Sequence, residues 1–289
     1  MNPIARAFPL LALLGLVLTL AGCMSMVGFG YDHADTVAAW KADQYFDLDA
    51  AQKQAFRARF ERLYAWHRQE QLPEYAAFLG ASRERLHRAL TAGDVEWFAD
   101  GLKVRYRSLL SRAAPDAADL LATLTPEQVE TLRRQWDKDN RKFAGEHKLE
   151  GTLEERRRAR AKRLISEIRN WVGALTDEQE DRIAGLARAL PDTERMRHAD
   201  RIRRQQEFIG LLDGRHGDRT AFAARLAYWL QHWEDGRSPE YQRLSDSAWS
   251  QRVQLYLAVE RMLTPEQRAT LLKRLQSHIR EFYRLSRRD

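Results

Sequence analysis

Catalysis needs a nucleophile, an acid–base pair or a metal set, and the chain offers few of these. Its only thiol is Cys23, and its histidines are His33, His67, His87, His147, His198, His216, His232 and His278. None of them stands in a His-Glu-x-x-His pair, and no Gly-x-Ser-x-Gly elbow occurs. Gly28-Phe29-Gly30 lacks the rest of a phosphate loop. Asp137, Asp139 and Asn140 are spaced like the first ligands of a calcium loop, but the glycine and closing glutamate that such a loop needs are missing. Trp66-His67 near Glu74 reads as packing at a corner between helices, with His67 a hydrogen-bonded boundary residue and not a ligand. No metal or dissociable cofactor is expected.

Cys23 has a different setting. Arg6 precedes an apolar run from Leu10 to Leu20, too short to span a bilayer, which ends in Leu20-Ala21-Gly22-Cys23. This resembles the bacterial lipobox, in which the cysteine is acylated and becomes the mature N-terminus. The resemblance implies cleavage of residues 1–22, a lipidated tether over 23–33, and diacylglycerol and acyl chains on Cys23 as the one covalent attachment. It further implies export and, with Met24 and Ser25 after the cysteine, residence on the periplasmic face of the outer membrane. A lone cysteine without a partner thiol fits an anchor better than a disulfide, and several acyl chains hold a protein stably on a membrane.

Composition bounds the rest. The chain has 289 residues, 31% of them charged, and a mean hydropathy of −0.61. Forty-eight Lys and Arg face 41 acids, a balance of +7 that becomes +6 once Arg6 is removed with residues 1–22. The excess suits an anionic partner or a solvated surface, and export makes nucleic acid an improbable one. With only 15 Gly and 8 Pro, and with helical stripes such as Phe56, Phe60, Leu63 and His67, the expectation is an all-α multi-helix bundle or cradle.

One short motif recurs: Leu124-Thr125-Pro126-Glu127-Gln128, Leu263-Thr264-Pro265-Glu266-Gln267, Leu175-Thr176-Asp177-Glu178-Gln179 and, in weaker form, Leu48-Asp49-Ala50-Ala51-Gln52. Each reads as a helix start. The Thr or Asp caps the first turn, Pro fits the first helical position, and Gln three residues after the cap closes a capping box.

From these starts the chain parses into helices: a brief one over 34–45, one from Asp49 to a turn at Leu72-Pro73, and one from Glu74 to Ala92. Gly93-Asp94 stops that helix and caps the next, and a turn at Pro115 leads to a short segment over 117–123. A long helix follows from Thr125. Gly145 to Gly151 is the best linker, after which Thr152 and Glu155 cap a helix carrying Arg156, Arg157, Arg158, Arg160, Lys162 and Arg163. Further helices are expected near 176–189, 192–213, 218–235, 239–262 and 264–286. Ordered matches such as Leu48 with Leu175, and Phe98 and Leu102 with Phe222 and Leu226, make residues 34–150 and 151–289 two similar halves.

Paired Leu-Thr-x-x-Gln motifs resemble those of the Spy/CpxP group of periplasmic chaperone-like proteins, all-helical cradles that bind clients on a basic, apolar concave face. That resemblance implies a non-enzymatic binder of unfolded or envelope proteins, with the pairs Leu48/Leu124 and Leu175/Leu263 defining its two units. This chain is about twice as long and carries an anchor, which sets it apart from that group. Tyr31-Asp32-His33-Ala34-Asp35, Trp40, the run Asp43 to Leu48, Ala65-Trp66-His67-Arg68 and Leu72-Pro73-Glu74-Tyr75-Ala76 are similar to a family of uncharacterised proteobacterial lipoproteins, which brings no activity with it. The run Arg156 to Arg163 opposes the dipole at its helix start, so it reads either as a site for phosphate-bearing partners such as anionic lipid headgroups, or as a solvated face paired with neighbouring acids. A structural adaptor tethering one partner complex is the competing function, and an enzyme ranks third.

Overall fold

The computed structural model describes residues 31–287. Cys23, residues 24–30 of its tether and the preceding apolar run lie outside the described residues; the end of the expected tether, 31–33, is described, and Tyr31 is buried in the fold and not part of a free tether. The described chain is helical and without strands: α1 Ala34–Phe46, α2 Ala50–Trp66, a π-helical turn His67–Gln71, α3 Leu72–Arg85, α4 Ala92–Leu121, α5 Pro126–Glu146, α6 Leu153–Val172, α7 Asp177–Ala189, α8 Glu194–Asp213, α9 Arg219–Gln231, α10 Pro239–Met262 and α11 Pro265–Ser286. No described helix is long and apolar enough to cross a membrane.

Local capping chemistry sets most starts. Asp49, Thr91, Thr125, Thr152, Thr176 and Thr264 each form a full capping box with the residue three positions on. Such a box satisfies two of the backbone N–H groups that a helix start leaves orphaned.

Three expected breaks differ. There is no turn at Leu72-Pro73: α2 passes through the π turn into α3, and the Leu72 N–H reaches back five residues to the His67 carbonyl. The wider turn accommodates a proline that would otherwise clash with the carbonyl four residues back. Pro115 lies inside α4, which runs on to Leu121. Gly93-Asp94 stops nothing: α3 has already ended at Arg85, Thr91 caps α4, and Asp94 is the closing residue of its box. The Gly145–Gly151 break holds, although α5 includes Gly145.

The two halves share their core. One buried cluster joins Phe46, Leu48, Leu124 and Leu132 of the first half to Leu212, Phe222 and Leu226 of the second. Another lies within the second half, between α6, α7 and α10, and includes Leu164, Ile183 and Leu255. A third seats α11 on α3 through Leu72, Ala76, Ile279, Phe282 and Leu285, with Tyr31 at its edge. The last helix of the chain therefore closes against the first half.

Candidate functional site

The four motifs meet in two pairs. Gln52 and Gln128 are both buried, and their amides face each other: Gln52 Nε2 donates to Gln128 Oε1 at 3.0 Å, and Gln128 Nε2 donates to Gln52 Oε1 at 2.6 Å. Gln179 and Gln267 repeat the arrangement at 2.9 and 2.8 Å. Each Oε1 also accepts the N–H of its own cap residue, Asp49, Thr125, Thr176 or Thr264. Each Nε2 also donates to the carbonyl just before the partner motif: Gln52 to Thr123, Gln128 to Asp47, Gln179 to Met262 and Gln267 to Ala174. Every amide is saturated. Leu48 and Leu124 are buried beside the first pair, while Leu175 and Leu263 are half-buried beside the second. Thr125, Thr176 and Thr264 act as caps only. These motif residues are knots between helix starts, with no group left to offer a ligand.

The basic run does not form one patch. Arg156 and Arg160 are buried. Arg156 Nε pairs with Asp192 at 2.8 Å and its Nη1 donates to the Gly151 carbonyl. Arg160 donates to the carbonyls of Ala187, Leu190 and Pro191 at 3.0, 2.8 and 3.1 Å, which closes the C-terminal end of α7. Arg163 binds the Glu146 carbonyl and Glu194. Arg158 pairs with Glu154 at 3.2 Å, Lys162 is exposed and Arg157 half-buried. The expectation of six residues presented to an anionic partner is thus corrected: Arg156, Arg160 and Arg163 are turned inward, because carbonyls and acids distant in sequence lie beneath α6.

Glu194 collects the densest charge. It is almost fully buried, with His147 Nδ1 at 2.9 Å, Arg197 at 2.9 Å and Arg163 at 3.3 Å. Burial pushes its carboxyl upward, but the hydrogen bond from His147 and the charges of Arg197 and Arg163 outweigh that and hold it at about 2. His67, in the π turn, is buried against Tyr31, whose hydroxyl lies 3.0 Å from Nδ1. Burial lowers the His67 pKa to about 4 and raises that of Tyr31, so the phenol donates and a neutral ring accepts. The Tyr75 ring meets His67 edge-on, 5.3 Å between centroids. His67 is thus packed and hydrogen-bonded as expected, but inside a continuous helical run and not at a corner between helices. Asp139 and Asn140 lie on α5, where Asp139 accepts from Tyr45 and Asn140 from Arg201. Among the described residues no cluster of His, Cys, Asp or Glu could hold a metal ion.

The described residues also line a concavity. A pocket of about 160 Å³ lies among α1, α2, α4, α5, α8 and α9. Ala38, Ala42, Ala113 and Ala117 leave the space, and Phe56, Phe60, Leu63, Trp136 and Trp229 wall it. Phe56 and Phe60 stack at 6.0 Å. The lining is almost wholly apolar, with Lys41, Arg59 and Asp116 its charged members. The signal that could have revealed it is the set of alanines on facing helices; the aromatic residues alone read as core.

The sequence pattern of DUF6279, a family of unknown function, matches residues 44–242. The chain belongs to that family. No curated protein and no solved structure matches it. The DUF6279 span contains the first glutamine pair entire and Gln179 of the second, and ends before Gln267. It also takes in the pocket lining apart from Ala38, Lys41 and Ala42 of α1.

Proposed function

We propose that this DUF6279 chain is a lipoprotein of the bacterial envelope, anchored through Cys23 to the periplasmic face of the outer membrane, and that it works by binding and not by catalysis. The observation that carries the binding is the pocket between α1, α2 and α4, a ready-made apolar concavity with a charged mouth. A fixed pocket of this size suits one apolar group at a time. That favours a holder of one defined ligand or partner over a Spy/CpxP-like chaperone, whose clients need a broad basic face. The motif glutamines are spent on each other, and half of the basic run faces inward.

Two measurements on the intact, membrane-anchored protein separate the readings. Crosslinking followed by mass spectrometry should give one defined adduct, dependent on the pocket. Many weak polypeptide adducts, together with suppressed aggregation of an unfolded client, would restore the chaperone. Absence of an acylated Cys23 peptide would refute the anchor.

A further inference from the structure

The wall and the mouth of the pocket together specify a ligand, and this inference rests on the pocket being the binding site. The wall offers almost no hydrogen-bonding group: the Tyr45 hydroxyl is turned to Asp139 and the Trp229 indole N–H to Glu207. A polypeptide entering here would bring backbone N–H and C=O groups that need partners, whereas a hydrocarbon chain brings none.

The mouth is positive. Lys41 Nζ donates to Gln44 at 3.2 Å and sits 4.9 Å from the Trp40 ring centre, and among the described residues no carboxylate pairs with it. Arg59 has Asp116 and Asp119 only at 3.8 and 3.6 Å, and its Nε is buried without a hydrogen bond. Both of those acids are held more closely by other cations, Asp116 by Arg62 at 2.6 Å and Asp119 by Arg219 at 2.5 Å. Two carboxylates are therefore shared among three arginines, with Arg59 the most loosely held, and Lys41 adds a cation that pairs with no acid among the described residues.

We propose that the pocket takes a medium-chain fatty-acid anion, its hydrocarbon tail within the wall of Phe56, Phe60 and Leu63 and its carboxylate at the mouth between Lys41 and Arg59. An apolar cavity of about 150 Å³ accepts a benzene ring, so this one takes a tail on the order of six to eight carbons.

The test is photolabelling of the full chain in phospholipid nanodiscs, with octanoate carrying a terminal diazirine and with the matching octanol probe. Octanoate adducts should map to Phe56, Phe60 or Leu63 and vanish under excess octanoate. Ala113→Leu, which fills the pocket, should cut them about tenfold. Lys41→Glu should cut octanoate labelling about fivefold while leaving octanol labelling unchanged.

Adducts scattered over the surface and indifferent to Ala113→Leu would overturn the proposal. So would octanol labelling equal to that of octanoate and insensitivity to Lys41→Glu, or a polypeptide trapped at the mouth in place of the probe. Should Ala113→Leu lose its helical circular dichroism, the Lys41→Glu comparison decides alone. Intact mass reads acylation of Cys23 separately. An unacylated chain that labels refutes the anchor and keeps the pocket; an acylated chain that does not label refutes the ligand.

Discussion

The Gln52 and Gln128 side chains lie 76 positions apart in sequence, yet their amides close a reciprocal pair in which each group is both donor and acceptor. Replacing Gln128 by Leu removes the cap acceptor of Thr125, the donor to the Asp47 carbonyl, and both bonds to the buried Gln52 amide, which keeps Asp49 and Thr123. Each orphaned buried group costs about 1–3 kcal/mol, so Gln128→Leu should lower the unfolding free energy by about 3 kcal/mol in a denaturant titration. Gln52→Leu with Gln128→Leu should cost less than the sum of the single changes, by about 1 kcal/mol or more. Gln267→Leu shares no partner with Gln128, so those two losses should add. Additivity within the first pair would show that the amide contact contributes nothing.

The caps of these knots were legible because their cause is local, whereas the amide contacts across 76 and 88 positions were not. The capping box is written in Thr125 to Gln128, and the spacing of the copies groups them in twos. The rest required knowledge of what lies across the fold. Pro73 and Pro115 read as breaks by their own chemistry, yet a π turn absorbs one and α4 contains the other. Arg160 reads as surface because nothing within one helical turn shows that the end of α7 lies beneath it. The pocket has no sequence signature beyond alanines, since it is made by what side chains fail to fill.

The inward turn of Arg160 makes the basic run divisible by experiment. Arg160→Lys keeps the charge but leaves two of three carbonyls without their donor, because one ammonium cannot reproduce the guanidinium fork. We expect a loss of about 2 kcal/mol on thermal or chemical unfolding. Lys162→Ala, on the exposed face, should stay within about 0.5 kcal/mol of the parent. Equal and negligible effects would return the run to the surface.

Glu194 predicts an acid-sensitive domain. Its folded pKa, about 2, lies below the ordinary carboxylate value of 4.5, so its charge stabilises the fold fully above that ordinary value. The contribution is lost as pH falls from about 4.5 through about 2, and is on the order of 3 kcal/mol when complete. Glu194→Gln should therefore be destabilised at pH 7 and should flatten the stability profile below pH 4.5, converging on the parent near pH 2. Parallel profiles for the two proteins would assign the acid sensitivity to other carboxylates.

The π turn holds one residue more than an ordinary helical turn, and the surplus is what gives Pro73 room. Deleting Gln69 leaves one residue fewer between Trp66 and Leu72, so the Leu72 N–H reaches back four residues with ordinary bonding. The wide turn absorbs the surplus residue, so the residues after the deletion keep their face. Leu72 and Ala76 should still meet Ile279, Phe282 and Leu285, while Pro73 presses on a carbonyl that the wider turn spares. The deletion should therefore lower the midpoint of unfolding while amide exchange of α11 stays slow. Adding Pro73→Ala to the deletion should restore the midpoint. An α11 that exchanges rapidly in both deletion variants would show that the π turn sets the rotation of α3 and not only the room for its proline.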